Sequence, residues 1–269
     1  MGKESILTNH FAALAALAAM VFSVPAVAET PVADVAPVDW GLALAGGVLP
    51  EGKLHKLRYP ICLLVAADDR AFARQIAARV IDNAEEAGIA VRRGRCQYNT
   101  LIAFTDDAVG QLREMRRYYL SFYGAHYLEQ LDHMFATETT AFAFHEPMQL
   151  WMGPEVFQGT REVIGQPDVM GAAVVIDKAA AEGLDPVQLA DYATLRLLAP
   201  TADTGMVPQA APEGAATILT LFRDRNGAPG SMTDFDRAYL RTLYGAPRGS
   251  SARNVMARAS KIALADDGS

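Results

Sequence analysis

A histidine–glutamate pair, His145 and Glu146, is the first place where this sequence could do metal chemistry. Zinc proteases place two histidines and a glutamate on one helix face in the order His-Glu-x-x-His, so that both imidazoles bind the ion and the carboxylate acts as general base. Here Gln149 stands where the second histidine is required, and Pro147 would break the helix that has to present both ligands. We therefore predict a pair at the edge of a strand rather than a zinc site.

A second pair of histidines, His126 and His133, is spaced so that both would lie on one face of a continuous helix. Together with Glu129 or Asp132 they could share a metal ion. Two histidines alone are a weak signal, because histidines at the surface or packed in a core are more common than metal ligands. The sequence therefore gives us no metal ligand and no cofactor to assign.

Adjacent carboxylates could support acid–base chemistry at three places, Asp68-Asp69, Glu85-Glu86 and Asp106-Asp107. The first and the last stand where a helix is predicted to begin, and an acidic side chain there caps free N–H groups and interacts favourably with the helix dipole. Capping is the stronger explanation for both pairs. The sequence contains no Gly-x-Ser-x-Gly nucleophile motif, no phosphate-binding Gly-rich loop and no dinucleotide fingerprint.

A basic and aromatic stretch stands out in a chain whose formal net charge is −7. Rings and guanidinium groups of this kind suit sugar or phosphate surfaces, so the stretch is a candidate surface for an anionic partner. The alternative is an ordinary helix with its arginines in water and its rings in the core. The residues of this possible binding surface are Arg113, Arg116, Arg117, Tyr118, Tyr119 and Tyr123.

The N-terminal residues, 1–28, have the pattern of an export signal. Their apolar core is about fourteen residues long, shorter than the roughly twenty that a membrane-spanning helix needs. It ends in Ala26-Val27-Ala28, a small-x-small pattern typical of signal cleavage. We expect a periplasmic or secreted protein that begins near Glu29 and has no transmembrane segment after cleavage; an uncleaved anchor is the alternative.

The two cysteines, Cys62 and Cys96, have one intramolecular pairing available in an oxidising compartment. The predicted disulfide would contribute on the order of 3 kcal/mol to stability. The alternatives are two buried free thiols or a zinc site. Zinc is disfavoured because neither cysteine has another cysteine or a histidine at ligand spacing.

Alternating strand and helix patterns organise the body of the chain and predict an α/β fold. We expect residues 29–52 to form a linker and residues 53–269 a single domain, in which the Pro- and Gly-containing segment 201–216 is a mobile loop. The predicted strands are 61–66, 89–92, 100–105, 141–144, 172–177 and 217–222, and the predicted helices are 68–88, 106–119, 185–198, 233–245 and 251–263.

Three stretches resemble an uncharacterised family of exported bacterial proteins. They are Cys96-Gln-Tyr-Asn99 leading into Leu-Ile-Ala-Phe-Thr-Asp-Asp107, Leu189-Ala-Asp-Tyr-Ala-Thr194, and Met232-Thr-Asp-Phe-Asp-Arg-Ala-Tyr-Leu-Arg-Thr-Leu-Tyr-Gly245. The resemblance spans roughly residues 58–246, and its last stretch is the most specific part.

That last stretch also resembles the helix after the active site in zincin metalloproteases of the metzincin type, where a Leu-Thr-x-x-Asp start runs to a Leu-Tyr-Gly end. The resemblance implies a zincin-like single domain with a mixed central sheet flanked by helices, in which the helix from Asp185 would carry the zinc ligands. Ala190, Asp191 and Thr194 stand where His, Glu and His are required, and an alanine cannot bind zinc. The resemblance therefore implies that the metal site has been lost.

From the sequence we expect an exported, metal-free binding or accessory module whose partner is an envelope protein or a cell-wall component. The alternative is a hydrolase with an acid–base site at Asp191 and Tyr192, in a cleft under the loop 201–216. A structural subunit of an envelope complex is a third interpretation. The negative net charge argues against a nucleic-acid partner.

Overall fold

The structure, a computed structural model, describes much of the chain from residue 36 onwards. The described residues are 36–46, 52–119, 132, 135–136, 138, 140–147, 168–209, 211–212 and 215–266. They fall within one compact unit, Asp34–Ser269. The predicted export signal, His126, His133 and Tyr123 lie outside them, so the predictions made for these residues stay untested. Among the described residues, no helix has both the length and the apolar character needed to cross a bilayer.

A mixed sheet of five strands lies at the centre of the described residues. The strands are β1 (Lys56–Leu57), β2 (Leu63–Ala66), β3 (Thr100–Thr105), β4 (Ala141–Pro147) and β5 (Asp168–Asp177). Four of them run parallel in the order β1-β5-β3-β2, and β4 pairs with β5 in the antiparallel direction. The predicted α/β class with a mixed central sheet is confirmed, whereas the zincin-like arrangement stays a prediction.

Seven α-helices accompany this sheet within the described residues. They are α1 (Pro37–Leu44), α2 (Arg70–Glu86), α3 (Ala108–Tyr119), α4 (Lys178–Ala181), α5 (Pro186–Leu198), α6 (Asp234–Gly245) and α7 (Ala252–Asp266). Side chains cap the starts of three of them: Asp69 caps α2, Asp185 caps α5, and Thr233 forms a capping box with Asp236 at α6. The helices predicted over 185–198 and 233–245 are confirmed, and the second aspartate of the pair Asp68-Asp69 is the cap of α2.

Side chains from the two faces of the sheet enter two separate cores. Successive residues of a strand point to opposite faces, so Val174 and Ile176 of β5 join the larger core and Val175 joins the smaller one. The larger core includes buried residues of α1, α2, α5, α6 and α7. The smaller core forms with α3, through Ala108 and Leu112. Helices thus contribute to the packing on both faces of the sheet.

The predicted linker, 29–52, contains a helix that belongs to the core. α1 begins at Pro37, which fits a first helical turn because its fixed φ suits a helix and its missing N–H is not needed there. Trp40 is 2% exposed, and its ring meets that of Phe235 edge-on, with 4.8 Å between the centroids. The linker prediction is therefore wrong for residues 37–44, which form a helix that packs into the core through Trp40.

The continuous apolar run 61–66 is typical of a buried strand, but the strand that it contains, β2, is an edge strand. β2 lies at the end of the sheet order beside β3, and Leu64 is 38% exposed. A continuous apolar run does not distinguish a central strand from an edge strand, so the sequence could not place it. The neighbouring segment 89–92, predicted as a strand, contributes a single parallel bridge between Ile61 and Val91.

Residues 217–222, predicted as a strand, contain a 3₁₀ helix over Ile218–Thr220 instead. The hydroxyl of Thr217 accepts the N–H of Leu219 at 3.2 Å, and the carboxylate of Asp236 accepts the N–H of Ile218 at 2.8 Å. These local bonds take the N–H groups that a strand would offer to a neighbour. The β-branched composition alone therefore gives the wrong prediction here.

Candidate functional site

The helix α5 carries the candidate catalytic residues, and it is buried around its whole circumference. It begins after Asp185, whose carboxylate accepts the N–H of Val187 at 2.7 Å, with Pro186 in the first turn. Every residue from Leu189 to Leu198 is buried, because the helix packs against α2, α6 and strands of the sheet. A helix enclosed on all sides has no face open to solvent.

The Asp191 carboxylate is fully occupied by hydrogen bonds. Arg79 donates from Nε to Oδ1 at 2.7 Å and from Nη2 to Oδ2 at 2.9 Å. The amide of Asn83 donates to Oδ1 at 2.7 Å, and the N–H of Met232 donates to Oδ2 at 2.7 Å. Burial alone would raise the pKa of Asp191, but the bonds from Arg79, Met232 and Asn83 outweigh it and hold the pKa below its usual value.

These contacts make Asp191 an anchor that joins α5 to α2 and to the segment before α6. An ionised carboxylate has about four acceptor positions, and all four are used here. The residue is 0% exposed. Its oxygens therefore have no position left for a water molecule, a substrate proton or a metal ion.

Tyr192 faces a different environment from Asp191. Its hydroxyl lies 3.2 Å from Oγ1 of Thr204, and its ring meets Phe222 edge-on with 4.8 Å between the centroids. Burial raises the pKa of the Tyr192 phenol to about 12. Adjacent helix positions point about 100° apart. The structure therefore does not bring Asp191 and Tyr192 together as an acid–base pair.

The positions that the zincin resemblance assigns to metal ligands are engaged with the fold. Ala190 has no side-chain donor atom. Oγ1 of Thr194 donates to the carbonyl of Ala190 at 2.7 Å and accepts from the amide of Asn83 at 3.2 Å. Across the part of the chain that the structure describes, no three His, Cys, Asp or Glu side chains converge as metal ligands would.

Arg196, on the same helix, forms a buried ion pair with Glu138 that was not predicted from the sequence. Arg196 donates from Nη2 to Oε1 of Glu138 at 2.6 Å and from Nη1 to the carbonyl of Ala202 at 2.5 Å. Oε1 of Glu138 also accepts the N–H of Thr204 at 2.7 Å. Burial raises the pKa of Glu138, and the charge of Arg196 opposes that shift. The signal in the sequence is an arginine inside the apolar run 195–198, since a charge there needs a buried partner.

The same contacts anchor the described first part of the loop 201–216, which was predicted to be mobile. Ala202 donates its N–H to the carbonyl of Leu44 at 2.7 Å, and Thr204 contacts both Glu138 and Tyr192. The space predicted as a cleft under this loop holds the buried side chains of Tyr192 and Arg196 instead. Side-chain and backbone bonds therefore tie residues of the segment 201–208 to the fold, and the mobility of the loop stays a prediction.

His145 and Glu146 lie in β4, in agreement with the prediction of a strand pair. Nε2 of His145 lies 3.1 Å from the carbonyl oxygen of Leu197, and the ring lies 4.8 Å from that of His55, centroid to centroid. Burial lowers the pKa of His55 to about 4, and burial together with His55 lowers the pKa of His145. Both imidazoles are therefore neutral at pH 7, and neither is an acid or a base poised near that pH.

The aspartate pairs at the helix starts divide their roles. Asp69 accepts the N–H of Ala71 at 2.7 Å, and Asp107 accepts the N–H of Gly110 at 2.7 Å, so one member of each pair is a cap. The other members, Asp68 and Asp106, accept from Nζ of Lys178 at 2.5 and 3.1 Å. Helix capping thus explains one aspartate of each pair, and an ion pair with Lys178 at the surface explains the other.

The basic and aromatic stretch is described only in part. The guanidinium of Arg113 lies 5.6 Å from the centroid of the Phe135 ring, and the residue is exposed. Arg116, Arg117, Tyr118 and Tyr119 belong to α3, but their side chains lie outside the described part of the structure, as does Tyr123. The possible binding surface therefore stays a prediction.

The predicted disulfide between Cys62 and Cys96 is present, with 6.1 Å between the Cα atoms. It joins the segment before β2 to the one before β3. No protein-family model, curated protein or solved structure matches this chain. Its function therefore has to be argued from its own residues.

Proposed function

We propose that this chain is a non-catalytic binding module that acts outside the cytoplasm and has a metal-free, zincin-like fold. The observation that carries the proposal is the occupied carboxylate of Asp191, which accepts four hydrogen bonds from within the fold. Thr194 and Arg196, on the same helix, are also bonded within the fold. The helix that would carry the chemistry of a zincin here serves to hold the molecule together.

The location outside the cytoplasm is supported by two independent features. A disulfide between Cys62 and Cys96 persists in oxidising compartments and is rare in the cytosol. The N-terminal residues 1–28 have the pattern of an export signal. Together they favour the periplasm or the extracellular space, where the partner is a component of the cell envelope.

The zincin-like part of the proposal is supported by sequence and by fold class. The mixed sheet with helices on both faces is the kind of architecture that the resemblance implies. α5 and α6 span two of the stretches on which the resemblance rests, 189–194 and 232–245. What has changed is the chemistry of α5, because Ala190, Asp191 and Thr194 replace the ligand set.

The proposal is tested by assaying the purified protein on peptide, ester and glycoside substrates beside its Asp191→Asn variant. We expect both proteins to stay at background, because the Asp191 carboxylate is not available to a substrate. An Asp68→Asn variant, which changes an exposed carboxylate, serves as the matched control. Turnover that Asp191→Asn abolishes without loss of the folded circular-dichroism spectrum, and that the control retains, would establish a hydrolase and overturn the proposal.

A further inference from the structure

The two segments joined by the disulfide carry exposed arginine and tyrosine side chains that the proposed function leaves unassigned. Residues 53–62 and 88–99 together contain six basic residues and no acidic residue, in a chain with a net charge of −7. The bond between Cys62 and Cys96 joins these two segments. We call the exposed cluster the disulfide patch, and it consists of Arg58, Tyr59, Arg92, Arg93, Arg95 and Tyr98.

The backbone under the disulfide patch is held in a fixed shape. The N–H of Arg92 donates to the carbonyl of Ile61 at 2.8 Å, and the side chain of Asn99 accepts the N–H of Cys62 at 2.7 Å. Gly94 has a φ of 88°, a left-handed conformation that favours glycine and turns the chain at this point. A preformed surface loses little conformational entropy on binding.

The side chains of the patch are exposed to solvent. Tyr59 and Tyr98 are 48% and 61% exposed. Arg93 forms a surface ion pair with Glu85 at 2.7 Å. The exposed side chains of Arg92 and Arg95 have no hydrogen-bonding or ionic partner among the residues that the structure describes. At least two guanidinium groups are therefore ready to bind an anion.

We propose that the disulfide patch docks on the phosphate headgroups of an anionic lipid bilayer. Every basic residue in the patch is an arginine, whose planar fork makes two parallel hydrogen bonds to phosphate oxygens. Exposed tyrosine rings, with an apolar body and a polar tip, settle at the depth of the headgroups. This inference rests on the proposed function and names the chemistry of its envelope partner.

A bilayer fits the patch better than a nucleic acid does. Nucleic-acid binding needs phosphate contacts along an extended path, whereas the patch is a compact group of four arginines in a chain with a net charge of −7. Charges in physiological salt are screened over about 8 Å, so these arginines attract a bilayer only where they lie against its headgroups.

The test is co-sedimentation of the purified protein with vesicles of equimolar phosphatidylglycerol and phosphatidylcholine, with pure phosphatidylcholine vesicles as the neutral comparison. We expect binding to the anionic vesicles that weakens as salt rises. The double variant Arg92→Gln/Arg95→Gln should bind about 25-fold more weakly, about fivefold for each arginine removed near a charged membrane surface. Tyr98→Ala should weaken binding further without changing its salt dependence.

The matched control is Arg70→Gln/Arg74→Gln, which removes the same charge from exposed positions of α2. Arg74 lies about 16 Å along the helix axis from Glu85, the partner of Arg93. The control should bind as the parent protein does. Equal weakening in both double variants, no preference for the anionic vesicles, or displacement by millimolar inorganic phosphate would overturn the assignment to lipid. None of these results would bear on the hydrolysis assay, so the two proposals fail separately.

Discussion

Polar side chains buried on α5 each hold a neighbouring element in place. Asp191 and Thr194 bind side chains of α2, whereas Tyr192 and Arg196 bind the segment 201–204. A buried polar group left without its partner costs more than the bond itself contributes. These polar residues therefore contribute to the stability of the fold, although most of the side chains around them are apolar.

Removal of the Asp191 carboxylate should be strongly destabilising. Asp191→Ala leaves one N–H of the Asn83 amide and the N–H of Met232 without their acceptor, and it removes the ion-pair partner of the partly exposed Arg79. We expect the free energy of unfolding to fall by about 2–4 kcal/mol, because each buried donor left unpaired costs about 1–3 kcal/mol whereas Arg79 can reach water. Urea denaturation followed by circular dichroism measures this.

The exposed Asp68 provides the control for that experiment. Its side chain is 85% exposed, so Asp68→Asn should change stability by no more than about 0.5 kcal/mol. An Asp191→Ala protein as stable as the Asp68→Asn protein would show that the contacts of Asp191 do not hold the fold together.

The imidazole of His55, whose Nε2 is shielded from solvent, should make the fold sensitive to acid. Its pKa is about 4 in the folded protein and about 6.5 in an unfolded chain, so the unfolded state binds the proton first as pH falls. The stability from this group is fully present above pH 6.5 and is lost as pH falls from 6.5 to 4, by about 3 kcal/mol. His55→Phe should flatten this part of the stability–pH curve.

The measurement is the difference between parent and His55→Phe in the free energy of unfolding, taken at several pH values from 7 down to 4. Burial raises the pKa of Asp236 to about 6, which favours the folded state at low pH and so has the opposite sign. Asp236 is present in both proteins and cancels in the difference. Parallel curves for the two proteins would rule out the role given to His55.

Among helices and strands, those with local signals could be predicted and those decided by packing could not. Asp185 and Thr233 mark their helices through side-chain caps that lie within a few residues of the helix start. The helix around Trp40 depends on contacts with α7 and with Phe235, which are far away in sequence. The exposure of Leu64 is likewise not predictable from the sequence, because it follows from the order of strands in the sheet rather than from the adjacent residues in the chain.

The disulfide joins the segment before β2 to the segment before β3 and should contribute substantially to stability. It closes a separation of 34 residues, for which loop-closure entropy predicts roughly 3–4 kcal/mol. The double variant Cys62→Ala/Cys96→Ala should lower the free energy of unfolding by that amount in urea denaturation. Reduction of the parent protein should give the same loss, and two alkylatable thiols in unreduced, denatured protein would contradict the bond itself.

On the scale of the whole molecule, the sequence predicted the α/β class and the disulfide, both of which depend on residue types. It could not predict that α5 is enclosed on every side, since this depends on how helices and strands distant in sequence pack around it. The role of Glu138 could not be predicted either, because nothing in the sequence around an acidic residue identifies the buried arginine with which it pairs.

The proposed function requires α5 to be a structural helix rather than a metal-binding one. The most direct measurement is the zinc content of the purified protein and of Asp191→Ala, determined by elemental analysis after dialysis against zinc. We predict that neither protein retains zinc in proportion to its concentration. One zinc ion per chain in the parent protein, lost in the variant, would show that α5 binds a metal ion and would contradict its purely structural role.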